Sequence, residues 1–208
     1  MKKQLASFRD FLATGNLGPV APDMALKDIA ATLGPPDGWN VDDDHPVPVY
    51  WFFGNLEISF DSAAPYQMNW FQIEGATQLR GKSATLTGRL KLSLDGFCGE
   101  TKPSEFLSAG LWDSRQATVY YAALRDDILL NICTGCVQIH FQVDTSFIGD
   151  REAIEYLGES TLSRLVRDVD SRTKVDSIYS YPQAATEEMP GALNWRSLSG
   201  QDYLDLLP

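Results

Sequence analysis

The chain has 208 residues, 44% hydrophobic and 11% aromatic, which suits a folded protein with a sizeable core and excludes a disordered one. Its 28 acidic and 17 basic residues leave a net charge of -11. That balance disfavours nucleic acid and anionic lipid surfaces as partners and favours a basic one. Three cysteines point to a reducing compartment instead of a disulfide scaffold. No apolar run reaches the roughly 18 residues of a membrane span. The basic start, MKKQLASFRDFLATG, is interrupted by Arg9 and Asp10, where a secretory signal needs an unbroken apolar stretch. The expectation is a cytoplasmic protein.

Residues 2–14 carry Leu5, Phe8, Phe11 and Leu12 at helical spacing, and Gly15 follows as a stop. A second helix is expected over MALKDIAATLG, capped by Asp23 and ended by Gly34, Pro35 and Pro36. An acidic loop, DGWNVDDDHPVPV, comes next. VYWFF and LEISFD then flank Gly54-Asn55, a two-residue turn that favours a tight hairpin. Leu56, Ile58 and Phe60 alternate with Glu57, Ser59 and Asp61, so one face is expected buried and one wet. YQMNWFQIEG reads as a strand with Met68, Trp70 and Gln72 on one side and Asn69, Phe71 and Ile73 on the other. GRLKLSLDG adds another through Leu90, Leu92 and Leu94, extending an antiparallel meander.

The second half repeats the plan. KPSEFLSAGL reads as a short helix with Ser104 as its cap, and ATVYYAAL, DILLNI and CVQIHFQV read as strands, the last burying Val137, Ile139, Phe141 and Val143. Residues 150–167 are helical with a break near Gly158, and TKVDSIYSY is a final strand. The fold class expected is therefore α+β: an antiparallel sheet with helices on one face, formed by residues 1–181. FLATGNLG with GNLEISFD, set against FLSAGLWD with GCVQIHFQVD, raises the expectation of two related halves, 1–100 and 101–181. Residues 182–208 are expected to form an extended tail that docks through Leu204, Leu206 and Leu207.

Cys133-Thr-Gly-Cys136 has the spacing of zinc and redox motifs. A structural zinc site needs four ligands, and no second CxxC exists. Cys98, His45 and His140 are the other candidates, and His140, four residues after Cys136, is expected on the same side of a strand. A redox CxxC opens a helix, whose dipole lowers the thiol pKa; here strand follows. The favoured reading is a turn with small apolar fillers. The alternative is a metal-dependent or hydrolytic enzyme using Cys133, Cys136 and His140. Asp42, Asp43, Asp44 and His45 lack the alternate spacing and turn glycine of a calcium loop. No G-x-S-x-G, Walker lysine, G-x-G-x-x-G after a strand, or H-E-x-x-H is present. No cofactor is expected.

FLATGNLGPVAPDMALKDIAATLGPPDGW followed by YWFFGNLEISFD, within residues 8–75, resembles small bacterial immunity proteins encoded beside polymorphic or contact-dependent toxins. The shared pattern is helix, LG-P-M, helix, LG-P and a YG-LE-F strand pair. The resemblance implies a non-enzymatic protein that binds and blocks a cognate toxin, and it transfers no residue. From charge, a basic toxin would be met by Asp42, Asp43, Asp44, Glu57 and Asp61, which lie on or beside the first hairpin. A structural domain that self-assembles is a further alternative.

Overall fold

A computed structural model describes residues 3–41, 47, 50–182 and 194–208. Asp42, Asp43, Asp44 and His45 lie outside the described residues.

The expected first helix is in fact a strand followed by a helix. Strand β1 (Gln4–Ser7) alternates, with Leu5 66% exposed and Ala6 buried, and helix α1 (Phe8–Thr14) begins only after it. Ser7 makes the break: its hydroxyl accepts the Asp10 N–H at 3.0 Å and donates to Asp95 at 2.7 Å. Phe8, Phe11 and Leu12 reach the core as expected, and Gly15 closes the helix in the left-handed region at φ 77°. Helix α2 (Leu26–Leu33) starts later than the Asp23 cap implied. Asp23 has φ 77°, Ala25 is the cap, and the approach to the helix pairs with the strand-like segment Tyr66–Met68. There the Leu26 N–H reaches the Tyr66 carbonyl and the Met68 N–H reaches the Met24 carbonyl, each at 3.0 Å.

Four strands follow: β2 (Gly38–Asn40), inside the stretch expected as a loop, then β3 (Tyr50–Phe53), β4 (Leu56–Phe60) and β5 (Met68–Ile73). The β3–β4 turn is the expected Gly54-Asn55. Gly54 has φ 59°, and a Cβ there would stand 2.4 Å from the Leu86 carbonyl oxygen, so only glycine fits. Strands β6 (Ser83–Thr85) and β7 (Leu90–Ser93) do not extend that meander. They form a separate three-stranded sheet with β1, in the order β1-β7-β6, because β1 pairs parallel with β7.

Helix α3 (Pro103–Ser108) is capped at Lys102, whose N–H reaches the Glu105 carboxylate at 2.8 Å, and not by Ser104. Then come β8 (Thr118–Leu124), β9 (Asp127–Thr134), β10 (Val137–Val143), the helices α4 (Ala153–Glu159) and α5 (Leu162–Asp170), and β11 (Thr173–Ser180). The helical segment breaks at Ser160 and Thr161, just past Gly158. Beyond residue 193 the chain is not an extended tail. Strand β12 (Arg196–Ser199) pairs antiparallel with β8, and helix α6 (Gly200–Asp205) buries Tyr203 completely.

The large sheet has nine strands in the order β12-β8-β9-β10-β11-β5-β4-β3-β2, all neighbours antiparallel. Two meanders, β2–β5 and β8–β11, meet through their last strands, where Ile178 opposes Ile73, Tyr179 opposes Gln72 and Ser180 opposes Phe71. The protein is α+β, with its helices on the sheet. Their buried side chains, among them Phe11, Ile29, Phe106, Leu157, Val166 and Tyr203, share one core with Phe53, Ile58, Phe71, Leu130, Ile139 and Ile178 of the sheet. Phe11 stacks on Phe71 with centroids 5.6 Å apart, and Phe106 meets Phe141 edge-on at 6.0 Å.

Asp170, at the end of α5, ties three helices together. It accepts the Ser104 N–H at 2.9 Å and hydroxyl at 2.8 Å from α3, and the Tyr203 hydroxyl at 3.2 Å from α6. Burial and the adjacent Asp170 carboxylate raise the Tyr203 pKa, so the phenol remains a donor. Hydrogen bonds to a buried charge are among the stronger polar terms. Asp170→Ala should therefore lower unfolding free energy by about 3 kcal/mol and Tyr203→Phe by about 1 kcal/mol, read from urea unfolding curves.

Candidate functional site

The alternation that fills the core leaves the other side of the large sheet with a different composition. Along β3 to β5 that side presents Tyr50, Phe52, Glu57, Ser59, Trp70 and Gln72. Across β11, β10 and β9 it continues with Ser177, Tyr179, His140, Gln138, Asn131 and Cys133. Several of these are buried although polar: Ser59, Gln72, Asn131, Gln138 and Ser177. None belongs to the core that the helices complete.

Two bulges set the pattern. On β5, Ser59 opposes Trp70 and Phe60 opposes Met68, so Asn69 is the extra residue. Met68 therefore turns to the core, against the expectation that it shares a side with Trp70. On β11 the register shifts opposite His140 and Phe141, which makes Asp176 the extra, exposed residue. It also brings both Ser177 and Tyr179 onto the outer face.

An aromatic row crosses this face. Tyr50 opposes Ser59, which opposes Trp70; the small serine between them lets the two rings meet with centroids 5.9 Å apart. Trp70 contacts Tyr179 edge-on at 5.4 Å, and Tyr179 lies 4.7 Å from the His140 ring and stacks on Tyr181 at 5.9 Å. At the usual strand spacing the row spans about 20 Å. Carboxylates accompany it. The Gln72 side-chain amide donates to Glu57 Oε2. Burial first, and then the fields of Glu57, Asp176 and Glu74, raise the Tyr179 phenol pKa, so three acids converge on one hydroxyl. Among the described strand residues, the register gives this face one basic side chain, Lys174, opposite Gln142 and in the field of Asp144.

His140 is the titratable anomaly. Its Nε2 is buried with no hydrogen-bond partner among the described residues. Burial pushes its pKa down from 6.5 to about 4, only partly opposed by Asp176.

The sequence candidates divide as follows. Glu57 lies on the outer face beside the aromatic row. Asp61 is exposed just beyond β4, its N–H bonded to the Gln67 carbonyl at 2.7 Å. Thr134 opposes Val137, so Gly135 and Cys136 form the two-residue tip of the β9–β10 hairpin, with Gly135 at φ 72°. That is the turn reading of the CxxC, and it separates the two thiols. Cys133 sits on the outer face, where its sulfur accepts from Gln138 Nε2 at 3.2 Å. Cys136 is in the turn and packs toward α1: a Cβ on Gly15 would stand 2.9 Å from its sulfur. Its expected placement beside His140 on one strand face is corrected, since Cys136 precedes the strand. Among the described residues no three His, Cys, Asp or Glu side chains group as a metal site would require. No described helix is long and apolar enough to cross a membrane. The row as such is not legible in the sequence because its members come from strands far apart in the chain; the run of aromatics Tyr50–Phe53, which must occupy both faces of its strand, and the alternation of Trp70 with Phe71 are its local signs.

Compared with models of protein families, with curated proteins and with solved structures, the chain matches none.

Because the folded-state pKa of His140 lies below its ordinary value, the unfolded chain takes up the proton first as pH falls. Its contribution to stability is complete above the ordinary value and is lost progressively on the way down to about 4. Between about pH 7 and about pH 5 this amounts to about 2 kcal/mol. His140→Phe, which keeps a ring against Tyr179, should lose that much less than the parent over the same interval in urea unfolding.

Proposed function

We propose that this chain is a protein-binding module whose outer sheet face holds a basic partner, in the manner of an immunity protein that neutralises a toxin. The observation that carries the reading is the aromatic row Tyr50–Trp70–Tyr179 set among Glu57, Glu74 and Asp176. Tyrosine and tryptophan concentrate binding energy because they offer large amphipathic area at little entropic cost. A bordering ring of one charge sign steers a partner of the opposite sign and selects against others. The net charge of -11 extends that field beyond the face itself. The outer face also has the composition of a contact surface: it is rich in hydroxyls, amides and rings, where the opposite face is almost wholly apolar and closed by helices.

Glu57 is the member of the sequence-derived acidic set that this reading places at the centre. Asp61 lies toward its margin. Binding needs no covalent step, so the reading assigns no catalytic residue.

The test is protection. A toxin domain encoded beside the gene should arrest growth when produced alone and be neutralised when this chain is produced with it. Trp70→Ala and Tyr179→Ala should each weaken the purified complex by about 2 kcal/mol, roughly thirtyfold in Kd, in calorimetry. Continued arrest despite abundant, folded chain, with no complex in solution, would reject the immunity reading.

A further inference from the structure

The outer face ends, beside the β3–β4 turn, in a groove of about 410 Å³. Asn55, Gln72, Glu74, Asp176, Ser177 and Tyr179 line it, and no lining residue is Lys or Arg. One N–H of each of its two amides is engaged. The Asn55 side-chain N–H donates to the Glu74 carbonyl at 3.0 Å, and that of Gln72 donates to Glu57. Each amide keeps its carbonyl oxygen as an acceptor. Ser177 directs its hydroxyl to Asp176 at 3.4 Å. The groove is thus walled by one aromatic ring and supplied with acceptors from two carboxylates and two amides, on strand β11, on β5 and the residue just past its end, and in the turn between β3 and β4.

We infer that this groove receives an arginine side chain from the basic partner. The inference rests on the reading of the outer face as a protein-binding surface and names the chemistry at one point of it. A cation suits the groove because its carboxylates lack a lining counter-charge. Arginine suits it better than lysine for a geometric reason. Guanidinium carries five N–H donors in a rigid plane and is weakly hydrated, so it can satisfy acceptors standing on several sides while lying along an aromatic wall. An ammonium is a compact, strongly hydrated point charge with three donors. The groove adjoins the aromatic row through Tyr179, so an arginine bound there would sit beside the anchors of the same interface.

The experiment uses the full chain and two end-blocked peptides, hexa-arginine and hexa-lysine, titrated by calorimetry at about 0.15 M salt. Arginine peptide should bind about tenfold more tightly than lysine peptide. Glu74→Gln with Asp176→Asn should weaken the arginine peptide about tenfold and remove the preference, whereas Glu155→Gln on α4 should leave both unchanged. Asp176→Asn alone changes only an exposed residue of the bulge and supplies the same comparison should the double variant melt early. Equal affinity for the two peptides, or a loss caused equally by Glu155→Gln, would show general charge attraction and overturn the inference. The two readings fail separately. Toxin neutralisation that persists undiminished in the double variant removes the arginine groove and leaves the binding function. Arginine preference without any toxin complex does the reverse.

Discussion

Everything in this fold hangs on a short seam. The two meanders of the large sheet are joined where β5 meets β11, over three residue pairs. Within those pairs Ile73, Ile178 and Phe71 turn to the helices, and Gln72 and Tyr179 turn away. Because side chains alternate with a period of two, a slip of one residue would send the isoleucines outward and the tyrosine into the core. The seam is held in register from both sides. Phe11 of α1 packs on Phe71, and the Ser180 hydroxyl donates to the Gly15 carbonyl at 2.8 Å, tying the end of α1 to the end of β11. The proposed binding face is the reverse of that seam, so its geometry is inherited from core packing.

Much of this was legible in the sequence where local pattern and final environment agree. The alternation in LEISF and in VQIHFQV, the Gly54-Asn55 turn, and the Pro and Gly stops after α2 all express constraints that act within a few residues. What was not legible depends on partners distant in sequence. Gln4–Ser7 has helical spacing but becomes strand because β7, eighty-odd residues later, offers it an edge. Met68 reverses its side because of a bulge that no alternation rule announces. β12 is short and polar and is a strand only by virtue of β8.

The candidate site follows the same division. Glu57 was visible as the wet side of an amphipathic strand. Tyr179 was not, and His140 stood out only as a candidate ligand beside the cysteines, since the place of both comes from being neighbours of Trp70 and Asp176 across a sheet assembled from both halves of the chain. The CxxC was the opposite case: a conspicuous pattern whose chemistry dissolves once the hairpin register is known, because one cysteine lies in the strand and faces outward while the other lies in the turn and packs toward α1.

The place of β12 has a consequence for how the protein is made. Strand β8 is seven residues long and buries Val119 and Tyr121 on one side, yet its outer edge is closed by a four-residue strand synthesised well after it. Until that strand emerges, the nascent sheet ends in a long, apolar, unpaired edge, the kind of surface on which foreign strands add. Docking of β12, fastened by the burial of Tyr203 in the next helix, ends that exposure. A segment made well after β8 thus replaces a long apolar edge with a short polar one, and a ribosome pausing before it would hold the chain in a more aggregation-prone form.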